Sequence, residues 1–372
     1  MAAGVDQDKL ESLMHPALIN TLPGKFKSRF FCIFQMIKFA MKGNERMKSY
    51  GFKFLILFIL GTSPDAFAVE CPTHDFVEFI KEFSTNPEVQ RAFTASPVVQ
   101  QTVDQRGSAY RMVPRSLETL DALNLLPPAF ENAQKPNLNV TVQLPNQVYI
   151  RDNKGKFLKI LTFNHRDCWM LYHIENWSLE KVLDAQDPSG KLSLAARAFK
   201  RGELFNQLAM ETQSESSAQL YLSAFDSYLD GAEQGSAEAA FAAAAISLSG
   251  QAPRLENTKI LGLLIDASKS VPEAGLALAD FYCNEGESEE TRACLNPEKS
   301  LDALLTAARS GAPSALIQLG STYEVGAIVP NDLPRAMACY EEAEKGGHEA
   351  ASSNVERLRN QGITVDNDTH CF

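Results

Sequence analysis

The sequence predicts two domains: a small α+β domain, in which helices pack on an antiparallel sheet, followed by an all-α solenoid of helix pairs. Two patterns support this fold class. Alternating apolar and polar residues, typical of strands, are concentrated between residues 139 and 174. After residue 230, a motif of Ala, two residues, a small residue, three residues and Ala recurs four times. We therefore place the α+β domain at residues 69–187, the solenoid at 188–355 and a C-terminal tail at 356–372.

The segment before residue 69 has the pattern of a secretory signal peptide at residues 47–68. A basic start at Met47-Lys48 precedes an apolar run at residues 54–60, and Ala66-Phe67-Ala68 is a small-residue cleavage site. The run is shorter than the about 20 apolar residues that span a bilayer, so we expect no stable membrane insertion after cleavage. We expect translation from Met47 and residues 1–46 to be an extension absent from the mature protein; alternatively, residues 30–40 form a membrane-surface helix.

The α+β domain is predicted to begin with helices and to end with strands. Residues 75–83 place apolar side chains at helical spacing, and a second helix starts within residues 88–93. Strand patterns follow at residues 140–142, 148–150, 157–163 and 168–174, separated by turns.

This order of elements resembles the small cone-shaped domains similar to nuclear transport factor two. It also resembles an uncharacterised exported bacterial domain with an aromatic opening helix and a closing W-x-L strand, here Phe76, Phe79, Trp169 and Leu171. Neither resemblance implies a site that can be transferred to this chain.

A ligand pocket in this domain is one hypothesis. Trp169, Leu171 and His173 are predicted to share one strand face, with His165 and Asp167 in the adjoining turn. The competing interpretation is that Trp169 and Leu171 belong to the core and Asp167 forms the turn. His74 could join this group, but three histidines without ligand spacing do not predict a metal site.

The recurring motif predicts a stacked array of helix pairs. Its copies are separated by 35, 41 and 35 residues, and a weaker unit precedes them at residues 198–208. In the clearest unit, residues 314–326 form a first helix, Asp332 caps a second helix, and Gly346 ends that helix in the left-handed region. The four copies comprise Ala232, Gly235 and Ala239; Ala267, Ser270 and Ala274; Ala308, Gly311 and Ala315; and Ala343, Gly346 and Ala350.

This part of the chain resembles the SEL-like repeat family, a relative of the tetratricopeptide repeats. The resemblance is strongest between residues 315 and 350. It implies an α-solenoid with a concave protein-binding face and no catalytic residues or cofactor. The residues that carry it are Ala315, Leu319, Gly320, Tyr323, Gly326, Val329, Asp332, Ala336, Tyr340, Ala343, Gly346 and Ala350.

The cysteine count agrees with export. Of seven cysteines, six remain once Cys32 is removed with the N-terminal segment, and an even set in an exported chain is typical of disulfides. Fifteen pairings are possible, and no C-x-x-C pair supports zinc as the alternative. Proximity along the chain favours Cys71 with Cys168, Cys283 with Cys294, and Cys339 with Cys371.

The net charge limits the class of partner. The full chain has a net charge of −11, and residues 1–68 contain nine basic and five acidic residues, so the mature chain is still more acidic. Nucleic acid is therefore disfavoured as a partner, whereas a protein with a basic surface is permitted.

Catalytic signatures are nearly absent, and we expect no enzymatic activity. Ser178 and Lys181 fit S-x-x-K, the nucleophile motif of penicillin-recognising enzymes, but no K-T-G or S-D-N accompanies them. We interpret Ser178 instead as a helix N-cap.

The sequence therefore predicts an exported, periplasmic or secreted, adaptor that binds another protein through its solenoid. One specific version is an immunity or inhibitor protein acting on a toxin or an envelope enzyme. The alternatives are a lactam or cell-wall hydrolase using Ser178 and Lys181, and a small-ligand binding protein using the α+β domain.

Overall fold

The structure is a computed structural model that describes residues 70–107, 109–117, 138–212, 214–286 and 293–372. Residues 1–46 and the predicted signal peptide lie outside the described residues. The chain from Val69 to Phe372 forms one compact unit.

The α+β domain opens with two helices, α1 (Phe76–Thr85) and α2 (Pro87–Ala92), as predicted. Asp75 and Asn86 cap them, since each side chain accepts a hydrogen bond from a backbone N–H of the first turn. Six described strands follow and form one sheet in the order β2-β1-β6-β5-β4-β3. They are β1 (Thr94–Arg106), β2 (Ala109–Leu117), β3 (Leu138–Gln143), β4 (Gln147–Asp152), β5 (Leu158–His165) and β6 (Trp169–Asn176).

The sheet is mixed rather than wholly antiparallel, because β1 runs parallel to β6. Sequence analysis missed the long antiparallel hairpin of β1 and β2. Its outer half is partly exposed, and polar residues such as those at 104–106 interrupt the apolar alternation there. The hairpin is therefore held by strand pairing more than by a buried face, and periodicity does not report that.

A short helix, α3 (Glu180–Gln186), joins the sheet to the solenoid. The described solenoid helices form four pairs, which we call units 1 to 4, followed by a closing helix, α12 (Glu349–Asn360). Unit 1 contains α4 (Leu194–Glu211) and α5 (Ser216–Glu233), unit 2 contains α6 (Ala237–Leu248) and α7 (Asn257–Ser268), unit 3 contains α8 (Pro272–Asn284) and α9 (Pro297–Arg309), and unit 4 contains α10 (Pro313–Val325) and α11 (Leu333–Lys345).

The predicted helix bounds and N-cap of unit 4 are largely confirmed. Asp332 caps α11, since its Oδ1 accepts a hydrogen bond from the Arg335 backbone N–H at 3.1 Å. The weaker unit that the sequence suggested around residues 198–208 is the first helix of unit 1. The helix α12 runs through the predicted solenoid boundary at residue 355 and ends at Asn360.

The register of the fourth motif copy was predicted one residue too early. Gly346 has a right-handed conformation, with φ of −74°, whereas its neighbour Gly347 has φ of +86°. Ala350 is exposed, and Ala351 is fully buried in its place. The left-handed conformation favours glycine, which has no Cβ, so Gly347 defines the turn. The fourth copy of the motif is therefore displaced by one residue along the chain.

In the other copies the predicted residues lie where the second helix of one pair turns into the first helix of the next. Gly235 and Gly311 are left-handed, with φ of +91° and +83°. Ser270 lies in a turn without a left-handed residue among those described. The alanines that begin the following first helices, Ala239, Ala274 and Ala315, are fully buried.

The sheet and the solenoid share a hydrophobic core. One face of the sheet packs on α1 and α2, around Phe79 and Phe163. The other face contributes Tyr149, Leu158 and Ile160 to the core that continues through the helix pairs. Buried side chains thus lie on both faces of the sheet at β4, β5 and β6, so these described strands form no open cone of the kind that the pocket hypothesis needs.

A buried polar cluster joins the α+β domain to unit 1. Arg201 of α4 is only 2% exposed and donates from Nη2 to Asp230 Oδ2 at 3.0 Å and to the Lys154 carbonyl at 2.8 Å. Its Nε donates to Ser227 Oγ at 3.2 Å. The carbonyl comes from the turn between β4 and β5, so the turn docks directly onto the helix pair.

Glycine is required in that turn. Gly155 is left-handed, with φ of +64°, and a Cβ placed on it would lie 2.0 Å from Ser227 Oγ and 2.3 Å from the Ser223 carbonyl oxygen. Arg151 at the end of β4 adds a 2.8 Å ion pair with Asp226 of α5. These contacts place the α+β domain as a cap on the first unit of the array, which repeat arrays need at their ends.

Candidate protein-binding face

The first helices of the four units share one burial pattern, which makes their positions comparable. Buried residues recur at the same spacing in each helix. They are Ala198, Arg201, Gly202 and Leu204 in α4; Ala240, Ala243, Ala244 and Ile246 in α6; Gly275, Leu278, Ala279 and Phe281 in α8; and Leu316, Leu319, Gly320 and Thr322 in α10.

The smallest residue of this pattern lies against the second helix of the same pair. A Cβ on Gly202 would lie 2.4 Å from the Tyr228 ring, and one on Gly320 would lie 2.6 Å from the Tyr340 ring. The tyrosine ring of the second helix therefore occupies the space beside each glycine. In units 1 and 4 the second helix therefore packs directly on the backbone of the first helix.

An apolar row runs along the outward side of the first helices. One large apolar side chain per helix occupies the same position and is half-buried at the edge of the core. The row consists of Phe199, Phe241, Leu276 and Ile317. The exposed or half-buried positions beside it on α6 and α8 include the small residues Ala242, Ala245 and Ala277. We call this surface the first-helix face.

The charges of the first-helix face have one sign over three consecutive units. The helices α6, α8 and α10 contain no Lys or Arg, but they contain Glu238, Glu273, Asp280 and Glu324. In contrast, the second helices α7, α9 and α11 each contain Lys or Arg. Over units 2 to 4, the first helices therefore carry only acidic charges, whereas the second helices carry both signs. Unit 1 is the reverse, because α4 contains Arg197, Lys200 and Arg201 and all charged residues of α5 are acidic.

Two carboxylates on the first-helix face lie in crowded surroundings. Asp280 and Glu203 occupy the same helix position in units 3 and 1, and both are exposed to solvent. Nevertheless, desolvation raises the pKa of the Asp280 carboxyl, and it raises the pKa of Glu203 against the opposing charge of Lys200. Protein atoms around these two carboxylates therefore remove part of their hydration, although water still reaches them.

At the C-terminal end of the face the acidic charge is neutralised. Glu324 accepts two hydrogen bonds from the Arg357 guanidinium of α12, at 2.6 and 2.8 Å, and a third from the Tyr340 hydroxyl at 2.9 Å. These bonds, led by the one from Arg357, lower the pKa of Glu324. The carboxylates that remain unneutralised by such pairs therefore concentrate on α6 and α8.

The histidines of the pocket hypothesis do not form one group, because His173 lies on the other face of the sheet from Leu171. A bulge at Tyr172 puts an extra residue in β6, since Thr162 pairs with His173 and Phe163 with Leu171. Leu171 and Ile174 therefore face the core beneath α1 and α2, and His173 faces the opposite side. The prediction that Trp169, Leu171 and His173 share one face is wrong for this reason.

The other two histidines meet. His74 Nδ1 lies 3.3 Å from His165 Nε2, and the His74 carbonyl accepts a hydrogen bond from Trp169 Nε1 at 2.9 Å. Asp167 does not complete a metal-binding group with them, because no cluster of three His, Cys, Asp or Glu side chains suited to a metal exists within the described residues.

Ser178 does not cap a helix. The helix α3 begins at Glu180, with Leu179 as its flanking residue and without a side-chain cap. The Ser178 hydroxyl lies 3.4 Å from the Lys156 carbonyl, to which it donates, and Lys181 is exposed. The Asn176 side chain instead forms a local turn before the helix, since its Oδ1 accepts a hydrogen bond from the Ser178 backbone N–H at 3.2 Å.

The six cysteines are bonded in the three local pairs that the sequence favours. Cys71–Cys168 ties the start of the domain to the turn between β5 and β6, and Cys283–Cys294 closes the loop inside unit 3. Cys339–Cys371 holds the tail against α11.

Sequence analysis missed the residues of the apolar row and of the polar cluster. The row could have been found by aligning the first helices and asking which large apolar residues fall outside the buried pattern. The buried pair of Arg201 and Asp230 could not have been found in this way, because nothing in the sequence shows that the turn at Lys154 covers them.

The fold is that of a small α+β domain followed by a solenoid of helix pairs. No protein-family model and no curated protein matches the sequence. Among solved structures, the chain is similar to a protective antigen of uropathogenic Escherichia coli that displays an SLR fold, with 20% identity and a TM-score of 0.40 over 50% of this chain and 38% of that one. It is also similar to a Sel1 repeat protein from Oxalobacter formigenes, with 18% identity and a TM-score of 0.37 over 47% of this chain and 68% of that one. The chain thus matches well under half of the length of the E. coli antigen.

In the described residues, no helix is both long and apolar enough to cross a membrane.

Proposed function

We propose that the mature chain is an exported adaptor that binds another protein on the first-helix face. The observation that carries this proposal is the apolar row, which in units 2 to 4 lies on first helices whose charged residues are all acidic. Repeat arrays use such continuous surfaces for binding, because stacking sets the geometry and outward residues set the partner. An acidic surface of this kind favours a partner with a basic surface.

Export is supported by the signal-peptide pattern and by the three disulfides, which persist in oxidising compartments. Sequencing of the N-terminus of the protein recovered from an envelope fraction should start at Val69. Mass mapping of unreduced peptides should find the three pairs. An intact cytosolic chain starting at Met1 with free thiols would contradict the proposal.

An inhibitor or immunity role is the specific version that we propose. A capped solenoid suits the blocking of a partner, since its stacked helices present a preorganised surface. The test is co-purification of a toxin or envelope enzyme with the full mature chain, followed by an activity assay of that enzyme with and without the chain. An inhibited enzyme supports the role, whereas a bound but fully active one excludes it.

The binding surface can be tested with matched variants of the full mature chain. The double variant Phe241→Ser/Ile317→Ser removes two members of the apolar row, and we expect it to lose the co-purified partner. The control is Ile265→Ser, which removes an exposed apolar side chain from the second helix α7. Equal loss in both variants, or loss in neither, would contradict binding on the first-helix face.

The geometry does not favour a hydrolase. Ser178 donates to a backbone carbonyl rather than to a base, so the nucleophile arrangement of S-x-x-K is absent. We expect Ser178→Ala to leave partner binding unchanged and to cost less than about 1 kcal/mol of stability. Lactam or peptidoglycan turnover that disappears in Ser178→Ala would show that the adaptor assignment is wrong.

A further inference from the structure

We infer that the occupant of the first-helix face is a Lys- and Arg-rich polypeptide segment with apolar side chains that insert along the row of Phe241, Leu276 and Ile317. This inference rests on the proposed function and specifies the chemistry of the partner at that site. The segment belongs to another protein, and its cationic residues lie over units 2 and 3.

The charge distribution selects a cationic partner. Glu238 and Glu273 lie at one corresponding position of α6 and α8, and Asp280 lies two helical turns further along α8, so carboxylates flank the apolar row on one side at α6 and on both sides at α8. No Lys or Arg of these two helices offsets them. An anionic segment placed here would meet like charges without compensation.

Desolvation strengthens the argument at Asp280. Its carboxyl is partly desolvated in the free protein, and this desolvation raises its pKa. An ammonium or guanidinium group beside it would restore a favourable interaction for the charged form, and would do so in surroundings where water screens charges less. The same holds for Glu203, although Lys200 on its own helix already provides a nearby positive charge.

The shape of the face selects apolar anchors. Ala242, Ala245 and Ala277 keep the outward sides of α6 and α8 low, so larger side chains of a partner can approach the helices. Phe241 and Leu276 are half-buried and offer apolar area that a partner can cover. Covering such area is favourable by roughly 25 cal/mol per Å². A purely polar cationic segment would leave this area exposed to water.

The probe for the experiment is a 12-residue peptide of alternating Lys and Leu, added to the full mature chain. Two matched peptides replace Lys by Glu or Leu by Ser. We expect the Lys/Leu peptide to bind at least tenfold more tightly than either, and its affinity to fall as salt rises, because exposed charges are screened. Equal binding of the Lys/Leu and Glu/Leu peptides would overturn the inference.

The site is tested with charge-reversal variants. Glu273→Lys/Asp280→Lys should lower the affinity for the Lys/Leu peptide at least tenfold. The control Asp266→Lys/Glu298→Lys makes the same change in net charge at exposed positions of the second helices α7 and α9. If both double variants lose affinity equally, the peptide is responding to overall charge and the assigned site is wrong.

The failures of the two proposals are distinguishable. If the natural partner is lost in Phe241→Ser/Ile317→Ser but retained in Glu273→Lys/Asp280→Lys, the face binds a protein and the cationic assignment fails. If the partner is retained in both variants, the first-helix face is not the binding surface and both proposals fail.

Discussion

Units 1 and 4 of the solenoid place very different side chains at the same buried position. In unit 1 that position holds Arg201, and in unit 4 it holds Leu319, which is fully buried. The next residue is glycine in both units, and a tyrosine ring of the second helix covers it. The comparison shows that the repeat constrains the space at a position, while the neighbour on the other side decides whether the side chain is polar.

The neighbour of unit 1 is the turn between β4 and β5. It provides the Lys154 carbonyl for Arg201, and the Lys154 ammonium lies 3.1 Å from Asp230. The position of Asp230 corresponds to Glu342 in unit 4, where no domain covers it and the side chain is exposed. Where the two domains join, a buried ion pair therefore occupies positions that hold a buried leucine and an exposed glutamate in unit 4.

The largest effect is expected when the buried position of unit 4 receives the charged residue that unit 1 has there. Leu319→Arg buries a guanidinium without a partner, and we expect a loss of about 3 to 5 kcal/mol in the free energy of unfolding. The double variant Arg201→Leu/Asp230→Leu removes both buried charges together and should cost much less, since the half-exposed Lys154 can turn to water. Urea unfolding of both variants measures the difference, and a larger loss in the double variant would contradict the comparison.

A smaller effect is expected at the shared glycines. Gly202→Ala and Gly320→Ala each place a methyl group against a tyrosine ring, and we expect each to cost about 1 to 3 kcal/mol. Gly262→Ala in α7 is the control, because a Cβ there meets nothing within 4 Å. It should stabilise the chain by about 0.5 to 1 kcal/mol through helix propensity. Thermal unfolding at one pH compares the three, and destabilisation by Gly262→Ala would mean that crowding is not the cause.

The smallest effect is a pH dependence that belongs to unit 1. Desolvation raises the pKa of Asp226 to about 6, although Arg151 partly opposes the shift. Because the folded-state pKa lies above the unfolded one, this group favours the folded state at low pH, and the contribution is lost as pH rises through about 6. We expect Asp226→Asn to remove about 1 to 2 kcal/mol of the stability change between pH 4 and 7. Unchanged pH dependence in this variant would contradict the assignment; the corresponding Ala338 of unit 4 has no titratable group.

Local patterns predicted the helices of unit 4 well, for reasons that lie within the segment. Asp332 is a capping residue followed by proline, and Leu316, Leu319 and Tyr323 repeat at helical spacing. The register of the fourth motif failed because Gly346 and Gly347 are adjacent. Composition does not show which of two glycines takes the left-handed conformation.

For the side chains of β6, the sequence-based prediction of which face they occupy failed for a different reason. Alternation predicted that Leu171 and His173 share a face, but the bulge at Tyr172 reverses the alternation there. A bulge depends on how the partner strand pairs, so a single strand does not predict it.

The sequence alone determined the order of the two domains, the positions of the helix pairs, the favoured cysteine pairs and the acidic net charge of the chain. Each of these depends on residues close together in the chain, through periodicity, capping or count. Only the tertiary structure decided that the domains share one core, that Arg201 is buried at their junction and that the outward residues of successive first helices form one face. Those features depend on contacts between residues distant in the chain, and their energies depend on burial, which exists only after the chain has folded.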